Sequence, residues 1–587
     1  MKVNTETGRI TGSIQKAGEY IVTFIAKNSL GEAKRNFKIV VGDKIALTPP
    51  MGWNSWNCWG HAVSQEKVLS SAKAMVEKGL INHGWQYINI DDGWQGLRGG
   101  KYNGVMTNSK FPDMKGLADA VHAMGLKIGI YSGPWVGTYA GHIGAYCDNP
   151  DGTYDWVERY ANEYYRYVDT TKQTKHGVNY HHGKYSFVKN DVRQWMEWGM
   201  DYLKYDWNPN DVYHVTEMHD ALRSHNRDVV FSLSNSAPWG DAIQWERLAN
   251  CWRTTADIKD TWESMSRLGF NQTKWAPFVG PGHWIDPDML VVGMVGWGPK
   301  LHYTRLTPDE QYTHISLWAL LSSPLLIGCD LTTIPETSLK LLKNKELIAL
   351  NQDPLGLQAY VVQHENEGYV LVKDIERKRG NVRAVALYNP SDTICSFTVP
   401  MNILELGGKV KARDLVKHQD LPEIKGGVLN RELPPHSVLI LRMESEKRLE
   451  ATVYEAEWAY LPCFNDLGKT PKSIVYAPLH EASGGMKVSY LGGRKENFAE
   501  WKEVYSEQGG KYEMTIRYVP KADRKLEVCV NNEKRILLDS LSADETQKIA
   551  SITVPVHLKA GNNKIRMGSS FCWAPDIDCF TLKKVSE

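Results

Sequence analysis

The sequence lacks the short motifs that mark several common enzyme classes. No HExxH motif offers the histidine spacing of a zinc hydrolase, and no GxSxG motif supplies the nucleophilic serine of an esterase. The nine cysteines include no CxxC pair, so we expect neither a zinc ribbon nor a dithiol redox site. A glycine-rich phosphate loop is also absent, which argues against an open, nucleotide-binding α/β sheet.

Excess charge and long apolar runs are absent too. The formal net charge is +1 over 587 residues, which offers no electrostatic footprint for nucleic acid or an anionic membrane. The sequence contains no run of 18 apolar residues, which is about the length that a membrane-spanning helix requires. The stretch Met1–Thr5 does not begin a signal-peptide hydrophobic region, so no signal is expected in this chain.

Aromatic residues, by contrast, are plentiful. The chain holds 21 Trp and 28 Tyr, which either fill a large core or stack on the faces of sugar rings. The odd cysteine count leaves at least one free thiol. Cys572 and Cys579 are close enough in sequence to pair, but mostly free, buried cysteines are the favoured interpretation.

The hydrophobic patterns divide the chain into four segments. Residues 1–45 show period-two alternation, which predicts β-strands, and their pattern resembles part of an immunoglobulin-like repeat, which implies a partial immunoglobulin-like β domain. Residues 46–352 alternate strand-like and helix-like stretches about eight times, which is the size of a (β/α)8 barrel. Residues 353–447 predict an antiparallel β domain, and 448–587 a β-sandwich. Within the barrel, residues 135–190 are weakly periodic and predict an extended loop over the active face.

The run Asp201–Asn208 predicts a short buried strand that delivers Asp206 to its C-terminal tip. Lys204 lies two residues earlier, so both side chains point to one face, and its ammonium favours the ionised form of Asp206. Further acids follow other predicted strands, at Asp91, Asp92, Asp257, Asp286 and Asp288. Carboxylates at the strand tips of a barrel converge on one pocket, and glycoside hydrolysis needs two of them. The pair His181-His182 is more typical of solvated or hydrogen-bonding residues than of metal ligands.

Several motifs in order resemble glycoside hydrolase family 27, the α-galactosidase family, over about residues 46–445. They are Pro50–Trp56, Ile90–Trp94, Lys127–Tyr131, Leu203–Asp206, Trp252–Ile258, Gly280–Leu290 and Ala349–Gly356. The resemblance implies a retaining mechanism, with Asp206 as the nucleophile and Asp257 as the acid/base. It assigns sugar binding to Trp56, Asp91, Asp92, Tyr131, Lys204, Arg253 and Asp288, and it implies no catalytic metal. Asp286 and Trp53 either contact the sugar or only hold the strand tips.

The sugar specificity is expected to depend on two places. Asp91 and Asp92 match the pair that binds the 4- and 6-hydroxyls, which favours galactose over arabinopyranose. The resemblance places Ser234 where many α-galactosidases carry a Glu beside the 2-hydroxyl. The alternatives within the family are therefore an α-N-acetylgalactosaminidase or a β-L-arabinopyranosidase. A non-catalytic carbohydrate-binding protein is disfavoured because both Asp206 and Asp257 are present.

The last segment resembles carbohydrate-binding modules. In such modules acidic residues hold a structural Ca²⁺, which makes Glu455, Glu457 and Asp578 candidate ligands. The domain set looks like that of a bacterial enzyme that degrades polysaccharides in the periplasm or outside the cell. The expected substrate is a galactose-containing oligo- or polysaccharide, with no nucleic acid partner and no cofactor for catalysis.

Overall fold

The computed structural model describes residues 2–585, apart from 7, 9, 155–156, 160–164, 168–179, 271, 465–472 and 484. Part of the predicted loop at 135–190 therefore falls outside the described residues. The described chain contains a barrel, two further antiparallel β domains and small β pieces at the N-terminus.

Eight parallel strands form the barrel, each hydrogen-bonded to its neighbour in chain order. They are β1 (Met51–Asn54), β2 (Tyr87–Asn89), β3 (Lys127–Ser132), β4 (Tyr202–Asp206), β5 (Val230–Ser234), β6 (Cys251–Arg253), β7 (Trp284–Asp286) and β8 (Leu325–Ile327). β8 pairs with β1, and a parallel bridge from Leu290, just beyond β7, to Ile327 closes the ring. The predicted (β/α)8 fold is confirmed.

Helices surround the strands. They are α1 (Gln65–Glu77), α2 (Met114–Ala123), α3 (Val188–Trp198), α4 (Val212–Arg223), α5 (Ala242–Leu248), α6 (Trp262–Gly269), α7 (Pro308–Leu321), α8 (Glu336–Leu342) and α9 (Lys345–Asn351). Side chains cap several N-termini. Asp211, for example, accepts the backbone N–H of His214, and Thr307 forms a capping box with Glu310.

The two ends of the barrel differ in chemistry. Near the N-terminal ends of the strands, Tyr87, Tyr202, Val230, Cys251 and Trp284 form a separate apolar layer. At the opposite ends the paired positions are polar: Asp206 is in register with Ser234, and Arg253 with Asp286. Polar groups therefore accumulate at the C-terminal face, where barrel enzymes carry their active sites.

The middle domain is antiparallel. Its larger sheet contains β9 (Tyr360–Glu365), β10 (Gly368–Asp374), β11 (Val382–Asn389), β13 (Leu406–Asp414), β14 (Gln419–Asp420) and β16 (Ser437–Arg448); β12 (Cys395–Pro400) pairs with β15 (Val428–Leu433). The two sheets enclose an apolar core that includes Val372, Val385, Phe397 and Leu441.

The C-terminal domain contains two antiparallel sheets. One contains β17 (Val453–Glu455), β18 (Val475–Pro478), β19 (Met486–Ser489), β21 (Gly510–Val519), β24 (Ala550–Leu558) and β26 (Asp576–Lys584). The other contains β20 (Phe498–Ser506), β22 (Leu526–Val530), β23 (Ile536–Leu538) and β25 (Gly561–Gly568). At the other end of the chain, Gly18–Asn28 and Gly31–Val41 form a hairpin, and Lys2–Val3 pairs with Ile10–Thr11.

Aromatic residues join the C-terminal domain to the other two. The Phe464 ring lies 4.7 Å from that of Trp239 in the barrel, and Tyr460 lies 6.0 Å from Phe278. Trp458 lies 4.5 Å from Tyr360 of the middle domain. We call these contacts the aromatic seam. It makes the apolar cores of the barrel and the C-terminal domain continuous.

All nine cysteines lie among the described residues and none forms a disulfide there, Cys572 and Cys579 included. The Cys572 thiol lies instead 3.3 Å from the hydroxyl of Ser569. Among the described residues, no helix has both the length and the apolar character that crossing a membrane requires.

Candidate active site

A cavity of about 260 Å³ opens at the C-terminal face of the barrel. Its walls bring together side chains that lie on, or in the segments after, the first seven barrel strands. They are Trp56, Asn57, Asp91, Asp92, Tyr131, Tyr139, Tyr180, Lys204, Asp206, Asn235, Asp257, Asp288 and Met289. A cavity this size is smaller than the roughly 300–1,000 Å³ of sites for drug-sized ligands, so it suits a single sugar ring.

Asp206 ends β4 at the base of this cavity. Its Oδ2 accepts a hydrogen bond of 3.1 Å from the hydroxyl of Tyr131, and its Oδ1 lies 3.4 Å from Nδ2 of Asn235. Burial raises the pKa of Asp206 to about 6, while the Lys204 ammonium acts in the opposite direction. The carboxyl is therefore poised to lose its proton in the mildly acidic range.

Lys204 connects Asp206 electrostatically to the acids of β2. Its Nζ lies 2.8 Å from Oδ2 of Asp91, which also accepts a hydrogen bond of 2.8 Å from Asn54. Burial disfavours the ammonium, but Asp91 and Asp206 hold the pKa of Lys204 above its ordinary value. Lys204 therefore stays charged and keeps negative charge in the cavity partly compensated.

Asp92 is held by the loop that follows β3. Its Oδ1 accepts a hydrogen bond of 2.9 Å from the Thr138 hydroxyl, and its Oδ2 one of 2.8 Å from the backbone N–H of Ala140. Burial raises its pKa to about 7, against the effect of these two bonds. The loop therefore fixes the orientation of an acid that faces the cavity.

Arg253 joins two acids on the other side of the site. Its Nη2 lies 3.1 Å from Oδ1 of Asp257 and 3.2 Å from Oδ2 of Asp288. Burial raises the pKa of Asp257, but Arg253 and Lys204 together leave it below its ordinary value. Burial raises the pKa of Asp288 to about 6. The Asp257 side chain is 68% exposed, so it is accessible to a ligand in the cavity.

The tip of β5 differs from the expectation for Ser234. Ser234 is buried, and its hydroxyl lies 3.4 Å from Nη1 of Arg253, at a cavity of about 10 Å³ inside the barrel. Asn235, the next residue, lines the active-site cavity instead. Ser234 is the last residue of β5 and is in register with Asp206, whereas Asn235 is the first residue after the strand, where the chain leaves the barrel.

Two tyrosines of the cavity come from the loop predicted to cover the active face. Tyr139 and Tyr180 pack on each other at 5.4 Å and on Trp135 at 5.3 and 5.0 Å. Their individual positions were not predicted, although the loop as a whole was expected to lie here. The tyrosine-rich composition of residues 135–190 was the signal that pointed to them.

Of the remaining predicted residues, one lines the cavity and the others lie behind its wall. Trp56 lines the cavity. Trp53 and Asp286 are buried and do not line it: Trp53 Nε1 donates to the carbonyl of Cys329, and Asp286 accepts the backbone N–H of Asp288. Both residues therefore hold strand tips in place in this structure. Arg253 is also behind the wall, where it orients Asp257 and Asp288.

A pocket that gathers several acids at the C-terminal face of a parallel barrel has the paired carboxyls that a glycoside hydrolase needs, at the place where barrel enzymes carry their active sites. Residues 48–158 and 155–353 match the family model described as alpha galactosidase A, and residues 369–443 match the alpha galactosidase C-terminal beta sandwich domain. The chain belongs to the α-galactosidase family, glycoside hydrolase family 27, as the motifs indicated.

Individual relatives agree with this assignment. The chain is 34% identical to Alpha-galactosidase 2 of Arabidopsis thaliana over 423 residues, which cover 70% of this chain and 93% of that protein. The structure of alpha-galactosidase I from Mortierella vinacea superposes with a TM-score of 0.57 at 25% identity, covering 69% of this chain and 99% of that one. A GH27 β-L-arabinopyranosidase from Geobacillus stearothermophilus also gives a TM-score of 0.57, at 29% identity and with coverage of 68% and 97%.

Proposed function

We propose that this enzyme is a retaining exo-α-galactosidase, with Asp206 as nucleophile and Asp257 as acid/base. The observation that carries the proposal is that both carboxyls line one cavity of sugar-ring size, each beside a different cation. The small size of the pocket supports removal of terminal residues from oligo- or polysaccharides rather than cleavage within a chain.

In the first step, the ionised Asp206 attacks the anomeric carbon while Asp257 gives its proton to the leaving oxygen. The bond from the anomeric carbon to that oxygen breaks, and a covalent glycosyl-enzyme forms. Tyr131 and Asn235 hold the two oxygens of Asp206 for this attack. In the second step, Asp257 takes a proton from water, which attacks the anomeric carbon and frees Asp206.

The proposal requires that substrate raise the pKa of Asp257. In the open cavity, Arg253 and Lys204 keep this pKa below its ordinary value although burial acts against them. A sugar in the cavity covers the exposed Asp257 side chain and removes water, which favours the neutral carboxylic acid. Once Asp206 is esterified, it no longer carries charge, and Asp257 can act as a base beside Arg253.

Asp91 and Asp92, the two acids that follow β2, favour galactose as the sugar. Asp91 and Asp92 both line the cavity and both have fixed orientations, so each offers an acceptor to a sugar hydroxyl. The alternatives are α-N-acetylgalactosaminidase and β-L-arabinopyranosidase activity, and the second is what one solved relative is described as. We propose that Asn235, which lines the cavity, separates galactose from its 2-acetamido derivative, rather than the buried Ser234.

A substrate panel tests the activity. Purified enzyme is given p-nitrophenyl α-galactoside, α-N-acetylgalactosaminide and β-L-arabinopyranoside, and we expect the galactoside to have the highest kcat/KM. Asp206→Ala should lower its turnover by roughly 10⁴–10⁶-fold, as expected for loss of a covalent nucleophile. Asp220→Ala, an exposed residue on α4, serves as the matched control.

Turnover of none of the three glycosides would refute the proposed activity. Substantial activity of Asp206→Ala would refute the role of Asp206 alone. Nuclear magnetic resonance shows the anomeric configuration of the sugar as it is first released. Release of the inverted anomer would refute the double displacement.

We also propose that the C-terminal domain binds a structural Ca²⁺. The Ser483 hydroxyl bridges Glu455 at 2.7 Å and Asp578 at 3.2 Å, and both acids are buried. Burial raises the pKa of Glu455 to about 7, and the buried Oε2 of Glu457 has no hydrogen-bond partner among the described residues. These carboxylates fit a hard cation. Chelation should lower the unfolding temperature of wild type but not of Glu455→Gln.

A further inference from the structure

Two histidines and one aspartate form a second cluster on the face of the barrel that carries the active site. His182, Asp211 and His214 each place one possible ligand atom within 4.8 Å of the others. None of the three lines the active-site cavity, and the mechanism proposed above uses none of them. The cluster therefore needs a separate explanation.

The β4–α4 connection supplies two members of the cluster. Asp211 is the N-cap of α4, and its Oδ1 accepts the backbone N–H of His214 at 3.0 Å. This cap turns the His214 side chain toward the same carboxylate, with Nδ1 at 2.8 Å from both oxygens. Trp207 adds a contact of 3.3 Å from Nε1 to Oδ2, which steadies the carboxylate.

His182 comes from the loop after β3. Its ring stacks on that of His214 with centroids 3.7 Å apart and planes inclined by 10°. Its Nδ1 lies 3.2 Å from the carbonyl of Pro134, so we assign the ring proton to Nδ1. The other nitrogen, Nε2, is then an acceptor, and it lies 3.9 Å from Oδ2 of Asp211. Metal-binding histidines typically donate their second nitrogen to a carbonyl in this way.

We propose that His182, Asp211 and His214 bind one divalent first-row transition metal ion, such as Zn²⁺. Two imidazoles and a carboxylate suit these metals, whereas Ca²⁺ and Mg²⁺ prefer oxygen ligands alone. The side chains of His182 and Asp211 are 35% and 39% exposed, so an ion can reach them from solvent. Binding tilts the parallel rings out of their stack, so that their lone pairs converge on the ion.

The site lies between two segments that build the active-site cavity. His182 follows Tyr180 by two residues, and Tyr180 lines the cavity. Asp211 follows Asp206 by five residues, on the connection that leads from β4 to α4. A metal ion would therefore tie the tyrosine-bearing loop to the strand that carries the nucleophile. This link to activity rests on the proposed function, whereas metal binding does not.

Metal titration of the full chain tests the site directly. Chelator-treated protein is titrated with Co²⁺, followed by its visible absorption bands, and with Zn²⁺, followed by calorimetry. We expect one equivalent to bind to wild type, and at least ~10-fold weaker binding to His182→Ala and to His214→Ala. His181→Ala is the matched control, because His181 is adjacent but contacts Asp148 instead.

Two outcomes would overturn the metal site. Either wild type binds neither ion, or the His182 and His214 variants bind as tightly as wild type. In the first case the cluster is only an ion pair of His214 with Asp211, stacked on His182. Because the two histidines lie on separate elements, misfolding of one variant leaves the other as a test.

Kinetics test the link to the cavity. Zn²⁺ should lower KM for p-nitrophenyl α-galactoside in wild type and in His181→Ala, but not in His214→Ala. If Zn²⁺ binds through the cluster and KM does not change, the link to the loop is refuted. Because the titration is read without substrate, an inactive protein would refute the proposed function without affecting the metal site.

Discussion

Lys204 influences the charge of both sides of the active-site cavity. It contacts Asp91 directly, and its positive charge lowers the pKa of both Asp206 and Asp257. A single lysine therefore helps to ionise the nucleophile and opposes protonation of the acid. The balance between these effects should be visible in the pH dependence of the enzyme.

We predict that Lys204→Met moves the acid limb of kcat/KM to higher pH. Asp206 must be ionised to attack, and its pKa is about 6, so kcat/KM should fall as pH drops below that value. Loss of the lysine charge raises this pKa further. The measurement is kcat/KM for p-nitrophenyl α-galactoside across the acidic range, with the exposed Lys101→Met as control. A limb that stays in place or moves to lower pH contradicts the prediction.

Asp257→Ala should discriminate between leaving groups. Its kcat/KM should fall by roughly 10²–10⁴-fold for substrates whose leaving oxygen needs a proton, such as melibiose. For a dinitrophenyl galactoside, which leaves without one, kcat/KM should change little. Asp206→Ala is the comparison, because it should lose activity on both substrates. Equal losses for both leaving groups in Asp257→Ala would exclude the acid role.

The difference between Ser234 and Asn235 shows how far sequence can predict a site. Motifs predicted the strand tip correctly, because a short buried run ending in polar residues is visible in the sequence. The side chain that enters the cavity depends on where the chain leaves the barrel after β5. That point is set by packing against neighbouring strands, so a one-residue difference is beyond sequence patterns.

At the level of elements, the long strands and helices were the predictable ones. The strand predicted within Asp201–Asn208 is β4, and it ends on Asp206 as expected. β1 was not predicted as a strand, because a run of four residues shows no resolvable period, and of β7 only the polar tip at Asp286 was predicted. Tyr139 and Tyr180 both lie in the long connection after β3, and no local sequence rule predicts that these two rings line the cavity.

The loop tyrosines should contribute to substrate binding. We predict that Tyr180→Ala raises KM by about 2–10-fold with little change in kcat, because it removes a cavity wall and its aromatic contacts, worth ~0.5–1.5 kcal/mol. Steady-state kinetics on p-nitrophenyl α-galactoside provide the measurement. Tyr185→Ala changes an exposed tyrosine of the same loop and should leave KM unchanged. Equal KM values for both variants would show that Tyr180 does not contribute.

At the scale of the whole molecule, one lysine is buried between the barrel and the middle domain. Lys373 lies on β10. Its Nζ donates to the carbonyl of Ala319 at 2.9 Å, to the carbonyl of Leu350 at 3.2 Å and to the hydroxyl of Ser322 at 2.9 Å. No carboxylate forms an ion pair with it among the described residues. Burial lowers its pKa from 10.5 to about 7.

Stability should therefore rise with pH above neutrality. Between about pH 7 and 10.5 the unfolded chain binds a proton at Lys373 that the folded chain has lost, so raising the pH favours folding. Below about pH 7 both states are protonated and the burial cost is fully present. Lys373→Met should show a smaller rise of unfolding temperature across this range, measured by calorimetry. Lys340→Met, at an exposed position, should behave as wild type; an identical slope in both variants would contradict the prediction.

The aromatic seam has a consequence for anyone who wishes to shorten this enzyme. A C-terminal β domain that follows the middle domain could be expected to be removable without effect on the rest of the protein. Here, cutting the chain after residue 447 would remove the three rings that cover Trp239, Phe278 and Tyr360, and it would expose an apolar patch on the barrel and the middle domain. Such a truncated protein should aggregate and lose activity. The C-terminal domain therefore keeps the catalytic domain soluble by covering this apolar surface.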